Sequence, residues 1–283
     1  MVLAKQARWL VAVLLGLSGC AAETAEDIGD DRVLDHIEAL GFDRSEAEVR
    51  PNRVIVQGDI LFDRKGLLRG EYERWEPAPD GELIDKGYRY PGGQVSIKNR
   101  GNIRLLFAKG KFAPTPEIRS AFMAAARTWS EIPNSAIRIS PDNTGPAIVV
   151  RTVPEASWDE YSPCPDTDAC TFAPRDGRPG YDLFIRAKSL DRGCAAWSPS
   201  GLAYTARHEL GHAIGFAHPR EDGSKHVAGT GKCGEASEDA CVQDPGYATV
   251  MGSYSISTSC LYAPARLTRD DYATCAAIYP VRP

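Results

Sequence analysis

Three of the five histidines of this chain fall within the short segment His208–His218 (HELGHAIGFAH). Residues four apart share one face of a helix, so His208 and His212 can offer two imidazoles to one metal ion. Glu209 lies beside the first of them, where its carboxylate can reach a water on the metal. Gly215 favours a helix end and a chain reversal that would bring up His218 as a third ligand. Three neutral imidazoles leave one position open, which is typical of catalytic zinc, so we predict one catalytic Zn²⁺ with Glu209 as general base.

The full motif resembles that of the metzincin metallopeptidases, and the resemblance extends over residues 101–280. In that clan a methionine turn lies beneath the metal, and Val250–Ser253 (VMGS) places Met251 at the matching position. The chain is similar to the dual-action HEIGH metallopeptidases of myxobacteria, with Leu210 where those have isoleucine. Pro219 follows the third histidine as in serralysin-type members, but their calcium-binding glycine repeats are missing, so structural calcium has no support in the sequence. The resemblance implies an α+β fold with a twisted mixed sheet, an active-site helix and a C-terminal helix. It also implies a zinc-dependent endopeptidase that hydrolyses peptide bonds of proteins or peptides.

Two further site residues are expected from this resemblance. The segment Gln57–Asp59 is similar to the propeptide motif of astacins, in which the aspartate fills the open zinc position, although Val56 replaces the aromatic residue of that motif. It implies a zymogen in which Asp59 binds the zinc, and the alternative is a plain β-turn at Gly58-Asp59. Astacins and serralysins carry a tyrosine two residues after the methionine, whereas here Tyr254 is three residues on. Tyr254 is therefore expected either to help stabilise the oxyanion or to pack near the turn.

Two other functions compete with a peptidase. The chain can be a non-catalytic, lipid-anchored surface protein that keeps zinc only to hold its loops together. A metal-dependent hydrolase of cell-wall glycans or small amides is a further alternative, which the methionine turn disfavours.

The overall composition excludes other classes of protein. Hydrophobic residues make up 43% of the 283 residues, which is ordinary for a chain that buries a core. The net charge is −5 and no block of lysine or arginine occurs, so we expect no nucleic-acid partner.

The elements that must position the site indicate an α+β protein. We predict a small pro-like module at 20–70, a linker at 71–97 where activating cleavage would occur, and a peptidase domain at 98–283. Within that domain, Thr115 and Pro116 begin a helix, and a second helix carries the histidines from Leu202 to Gly215. A last helix follows Thr268, with Tyr272, Cys275 and Tyr279 facing inward. The predicted strands are Ile103–Ala108, Ala147–Val153 and Tyr181–Ala187. The resemblance to the metzincins implies that the last of them is the edge strand with which an extended substrate pairs.

The N-terminus predicts export. Lys5 and Arg8 precede the apolar run Trp9–Leu17, which is too short for an ordinary transmembrane helix and reads as a signal peptide over 1–19. Leu17–Cys20 (LSGC) resembles the lipobox of bacterial lipoproteins, in which the cysteine is acylated. We therefore expect a protein anchored through Cys20 to the cell envelope, at the outer membrane in a Gram-negative cell. The alternative is a soluble secreted protein cut at small residues such as Ala22.

Export places the remaining seven cysteines in an oxidising compartment, where disulfides persist. All seven lie in the second half of the chain. Short-range pairing would join Cys164 to Cys170, Cys233 to Cys241 and Cys260 to Cys275. Cys194 is then left over, as a structural or a catalytic cysteine, and the sequence does not fix the connectivity.

Overall fold

The computed structural model describes residues 29–72, 94–165, 167–188, 199–218 and 269–281, together with Trp197, Met251 and Leu267. Tyr254 and Cys20 lie outside the described residues, as do Cys194, Cys233, Cys241 and Cys260.

Residues 29–72 form one helix, a three-stranded meander and a second short helix. Their bounds are α1 (Asp30–Ala39), β1 (Ala47–Arg50), β2 (Arg53–Val56), β3 (Ile60–Asp63) and α2 (Arg64–Leu68). Val33 and Ile37 of α1 are buried against the strands, as their helical spacing predicts. Gly58 and Asp59, for which the sequence offers a β-turn, lie in the turn between the antiparallel strands β2 and β3.

The rest of the described chain contains the longer elements. In chain order they are α3 (Ile97–Arg100), β4 (Ile103–Phe107), α4 (Pro116–Ser130), β5 (Ile139–Ser140), β6 (Ala147–Val153), α5 (Trp158–Tyr161), β7 (Ala169–Phe172), β8 (Asp182–Arg186), α6 (Pro199–Ala213) and α7 (Arg269–Ile278). Helix α4 begins as predicted, because the Thr115 hydroxyl accepts a hydrogen bond from the Ile118 N–H at 3.4 Å and Pro116 occupies the first turn.

The eight strands form one mixed sheet in the order β1-β2-β3-β7-β8-β6-β4-β5. Strands β8, β6, β4 and β5 run parallel to one another, whereas β7 runs antiparallel to β8. Strand β3 pairs in parallel with β7, through Ile60 opposite Thr171 and Leu61 opposite Phe172. Helices and a mixed sheet in one chain confirm the predicted α+β class, and the N-terminal meander extends the same sheet. The domain boundaries at 70 and 98 stay a prediction.

The main core lies between the sheet and helices α4, α6 and α7. Trp129 of α4 and Phe216 after α6 are fully buried, with their ring centroids 5.0 Å apart. The Trp129 indole N–H also donates to the Arg207 carbonyl at 2.9 Å. This packing holds α6 against α4, and so fixes the helix that carries the histidine motif.

Two predictions about individual elements are wrong. Strand β8 is not an edge strand, because β7 and β6 pair with it on either side. The short strand β7 follows a loop rich in proline and cysteine, and no periodic pattern marks it in the sequence. Tyr272 does not face inward: its side chain is 38% exposed, and the polar residues Asp271 and Thr274 are buried instead.

Among the described residues, no helix has the length and apolar character needed to cross a bilayer.

Candidate metal centre

Helix α6 brings two imidazoles and a carboxyl group to one buried place. His208 and His212 are four residues apart on the helix, and their Nε2 atoms lie 2.9 Å from each other. His218 completes a triangle, with its Nε2 at 3.0 Å from that of His208 and 3.1 Å from that of His212. Tetrahedral zinc with Zn–N bonds of about 2.0–2.1 Å separates its nitrogen ligands by about 3.3 Å, so this donor set fits a zinc ion.

The end of α6 explains how His218 reaches the site. Gly215 has φ +97°, a left-handed conformation that residues with a Cβ rarely adopt. The Phe216 N–H donates to the Gly211 carbonyl at 3.0 Å, which closes the helix and reverses the chain. The Nδ1–H of His212 donates to the Phe216 carbonyl at 2.8 Å and leaves Nε2 as the free ligand atom. Burial lowers the pKa of His212 to about 4, so its imidazole is neutral, which is the form that binds a metal.

A fourth donor comes from the N-terminal meander. Asp59 Oδ2 lies 3.2 Å from the Nε2 atoms of both His208 and His218, and Oδ1 lies 3.5 Å from that of His212. Asp59 Oδ1 is buried and has no hydrogen-bond partner among the described residues. The ligand atoms of all four residues lie within 4.8 Å of one another, so this group can hold a metal ion.

The turn before β3 delivers this carboxylate. Gln57 and Gly58 have φ +54° and +88°, and the turn they make points Asp59 at the histidines. The two sequence interpretations of Gly58-Asp59 are thus compatible, because the residues form a tight turn and also meet the histidines. The Gln57 side-chain carbonyl also accepts the backbone N–H of His218 at 3.1 Å.

Glu209 lies beside the triangle and is almost fully buried. Burial and the negative charge of Asp59 raise the pKa of Glu209 to about 8. Burial alone would raise the pKa of Asp59 as well, but its interactions with His218, His212 and His208 outweigh burial and hold that pKa well below its usual range. In this arrangement Asp59 therefore carries negative charge more readily than Glu209.

Three neighbours support the ligands and the acid. The Tyr204 hydroxyl lies 3.4 Å from His208 Nδ1, one turn earlier on α6. The Thr171 hydroxyl on β7 lies 2.5 Å from Glu209 Oε2. Met251 is fully buried against α6: a Cβ on Gly211 would come within 2.4 Å of its sulfur. The resemblance pointed to Met251, whereas Tyr204 and Thr171 were not predicted. Tyr204 could have been found from its spacing, four residues before the first histidine, but Thr171 carries no local signal.

Comparisons with known proteins give distant likenesses. No protein-family model matches the chain, and no curated protein matches it. Among solved structures, one titled "Structure of Myroilysin" is 16% identical, covers 75% of this chain and 92% of its own, and has a TM-score of 0.36. A second myroilysin structure is 15% identical; the match covers 73% of this chain and 99% of that one, with a TM-score of 0.34. High choriolytic enzyme 1, a hatching-enzyme zinc protease from the medaka fish Oryzias latipes, is 13% identical. That match covers 72% of this chain and 98% of the medaka chain, with a TM-score of 0.35. These identities and scores are too low to assign the chain to a family.

Proposed function

We propose that this chain is a zinc-dependent endopeptidase of the metzincin type. The observation that carries the proposal is the triangle of Nε2 atoms from His208, His212 and His218, with the Glu209 carboxyl group beside it. When bound there, zinc supplies Lewis acidity toward a scissile carbonyl group and an attacking water. The three histidines hold the ion through neutral imidazole nitrogens.

Glu209 performs the proton transfers of this reaction. Its carboxylate accepts a proton from the attacking water and passes it to the leaving amine. The position of Glu209, directly after the first ligand on the same helix, keeps its carboxyl group next to the metal site while the side chain stays buried. A general base contributes about 10²- to 10⁴-fold to the rate of such reactions, so the loss of this carboxylate abolishes useful turnover.

The N-terminal meander keeps the enzyme latent in this proposal. Asp59 occupies the position that a substrate carbonyl and water would need, and its own backbone carbonyl accepts the Thr171 N–H at 2.9 Å. Strand β3 thereby covers the edge of β7, and Arg175 holds residues 29–72 in place through ion pairs to Asp63 (3.5 Å) and Glu71 (3.3 Å). Once residues 29–72 are displaced, β7 becomes the free edge, so β7 replaces β8 as the strand with which an extended substrate pairs.

One observation also favours a second function. A zinc ion held by Asp59 and three histidines has four protein ligands, which is typical of structural rather than catalytic sites. The second candidate is therefore a non-catalytic surface protein, anchored through Cys20, in which zinc joins the N-terminal meander to helix α6.

The test measures hydrolysis of unfolded casein by the zinc-loaded chain. It is measured before and after limited digestion of the 71–97 linker by trypsin, and trypsin is inhibited before casein is added. We expect activity after digestion, its loss on treatment with a chelator, and its return with zinc. Glu209→Gln should keep one zinc per chain and lose activity. The control Glu131→Gln, at an exposed position, should keep both the zinc and the activity. If the digested chain holds zinc yet cleaves nothing, the second candidate is correct.

Latency has its own test. In the undigested chain, Asp59→Ala should raise casein hydrolysis, but less than trypsin does, because β3 still covers β7. Asp142→Ala, in an exposed turn, is the matched control and should leave the activity of the undigested chain unchanged. Equal activity of Asp59→Ala and the unsubstituted chain would show that this carboxylate does not inhibit.

A further inference from the structure

Thr171 touches both the N-terminal meander and the proposed general base. It lies on β7 and is fully buried. Its backbone N–H donates to the Asp59 carbonyl at 2.9 Å, and its hydroxyl lies 2.5 Å from Glu209 Oε2. Because an ionised carboxylate only accepts hydrogen bonds, the Thr171 hydroxyl must be the donor when Glu209 is charged.

We propose that Thr171 is the positioning residue for Glu209. Its hydroxyl holds Oε2 and so presents the other oxygen, Oε1, for proton transfer. This inference rests on the proposed peptidase function and deepens it, since it assigns the control of the base to the strand that also receives the substrate.

The strand gives that hydroxyl a fixed position. Thr171 is paired on both sides, opposite Ile60 of β3 and opposite Leu183 of β8. Threonine is branched at Cβ, which restricts its χ1 angle, whereas a glutamate side chain has three rotatable bonds. The hydrogen bond from this fixed hydroxyl therefore restricts the rotation of the Glu209 side chain.

The register of β7 places Thr171, and not its neighbours Cys170 and Phe172, on the side of the base. Successive side chains of a strand point to opposite faces, and Cys170 and Phe172 pack on the face away from α6, with Ile55 and Leu61. Thr171 points to the face of α6, where Glu209 lies. A slip by one residue would put a thiol or a phenyl ring against the carboxylate.

The test compares three variants after zinc loading and limited digestion. Thr171→Val keeps the shape and removes the hydroxyl, Thr171→Ser keeps the hydroxyl, and Thr152→Val is the matched control. Thr152 is also a buried strand threonine, and its hydroxyl has no hydrogen-bond partner among the described residues. We expect Thr171→Val to lower kcat about ten- to hundred-fold with KM and zinc content unchanged, since a hydrogen bond to a charged group and the orientation of a base have effects of this size. Thr171→Ser should recover most of kcat, and Thr152→Val should match the unsubstituted chain.

A second measurement does not depend on activity. In the undigested chain, the unfolding midpoints of Thr171→Val, Glu209→Ala and the double variant form a cycle, and we expect the two effects to be non-additive because the side chains are in contact. Additive midpoints would overturn the contact. A kcat within twofold for Thr171→Val, or an equal loss for Thr171→Ser, would overturn the positioning role while an inactive Glu209→Gln still supports the peptidase. If the digested, zinc-loaded chain without substitutions hydrolyses nothing, both proposals are wrong.

Discussion

Gly180 is the residue whose substitution tests most directly how β7 is held against helix α6. It lies between β7 and β8, and its N–H donates to the Ala213 carbonyl at the end of α6, at 2.8 Å. A Cβ at this position would come within 1.7 Å of the Phe172 carbonyl oxygen and 3.3 Å of the Ala213 Cα. Gly180→Ala therefore presses the backbone of β7 away from the helix that carries the histidines.

The size of the effect follows from these distances. Carbon and oxygen atoms approach each other to about 3.3 Å, so the new methyl group is short of space by about 1.6 Å. The obstacle is backbone, which cannot rotate aside as a side chain can, and the Ala213 Cα lies 3.3 Å from the same Cβ position. Overpacking costs about 1–3 kcal/mol, and we expect Gly180→Ala to lose about 3 kcal/mol of the free energy of unfolding.

Urea unfolding followed by tryptophan fluorescence measures this loss. With a slope of about 2 kcal/mol per molar urea, the midpoint should fall by about 1.5 M. Gly101→Ala is the matched control: its Cβ would lie 3.9 Å from the nearest atom and its φ is −83°, so it should gain about 0.4–1 kcal/mol. A midpoint for Gly180→Ala within about 0.3 M of that of the unsubstituted chain would refute the packing of β7 on α6.

Three further predictions concern the ligands, the cysteines and the anchor. Tyr204→Phe should weaken zinc binding about tenfold in a chelator competition, because the Tyr204 hydroxyl lies 3.4 Å from His208 Nδ1. Tenfold is the low end of the loss of metal affinity seen when a group that supports a metal ligand is removed. Equal zinc affinity would contradict a supporting role. Cys164 and Cys170 are buried in one cluster, and both are free thiols in the structure. After export they should yield a peptide pair joined by a disulfide in non-reducing mass spectrometry, and two free thiols there would exclude the predicted pairing. Cys20→Ala should remove acylation and release the protein from the membrane fraction, and retention there would contradict the lipid anchor.

The sequence could predict that the three histidines converge, because their geometry is local. Two histidines four apart on a helix share a face whatever the rest of the fold does, and Gly215 marks the reversal that brings up His218. Long periodic elements were predictable for the same reason. Strand β6 has the predicted bounds, and helix α4 begins at the cap that Thr115 provides.

The surroundings of the site depend on contacts between distant residues, which local patterns do not encode. Thr171 is 38 residues before Glu209 in the chain, and nothing in the sequence around either residue indicates that they meet. Strand β7 is four residues long and buried on both faces, so it has no alternation to reveal it. The resemblance implies an edge at β8, but β7 pairs with β8 on that side.

In the proposed peptidase, latency and substrate binding use the same strand, β7. Its backbone N–H at Thr171 binds the Asp59 carbonyl in the structure, and the same N–H is the group that an extended substrate would use. In the proposed peptidase, a substrate must therefore displace β3 as well as the Asp59 carboxylate, and removing the carboxylate alone would open the metal site without freeing the strand. Asp59→Ala should therefore raise activity less than cleavage of the linker does. An equal rise from the two treatments would mean that β3 does not cover the path of the substrate.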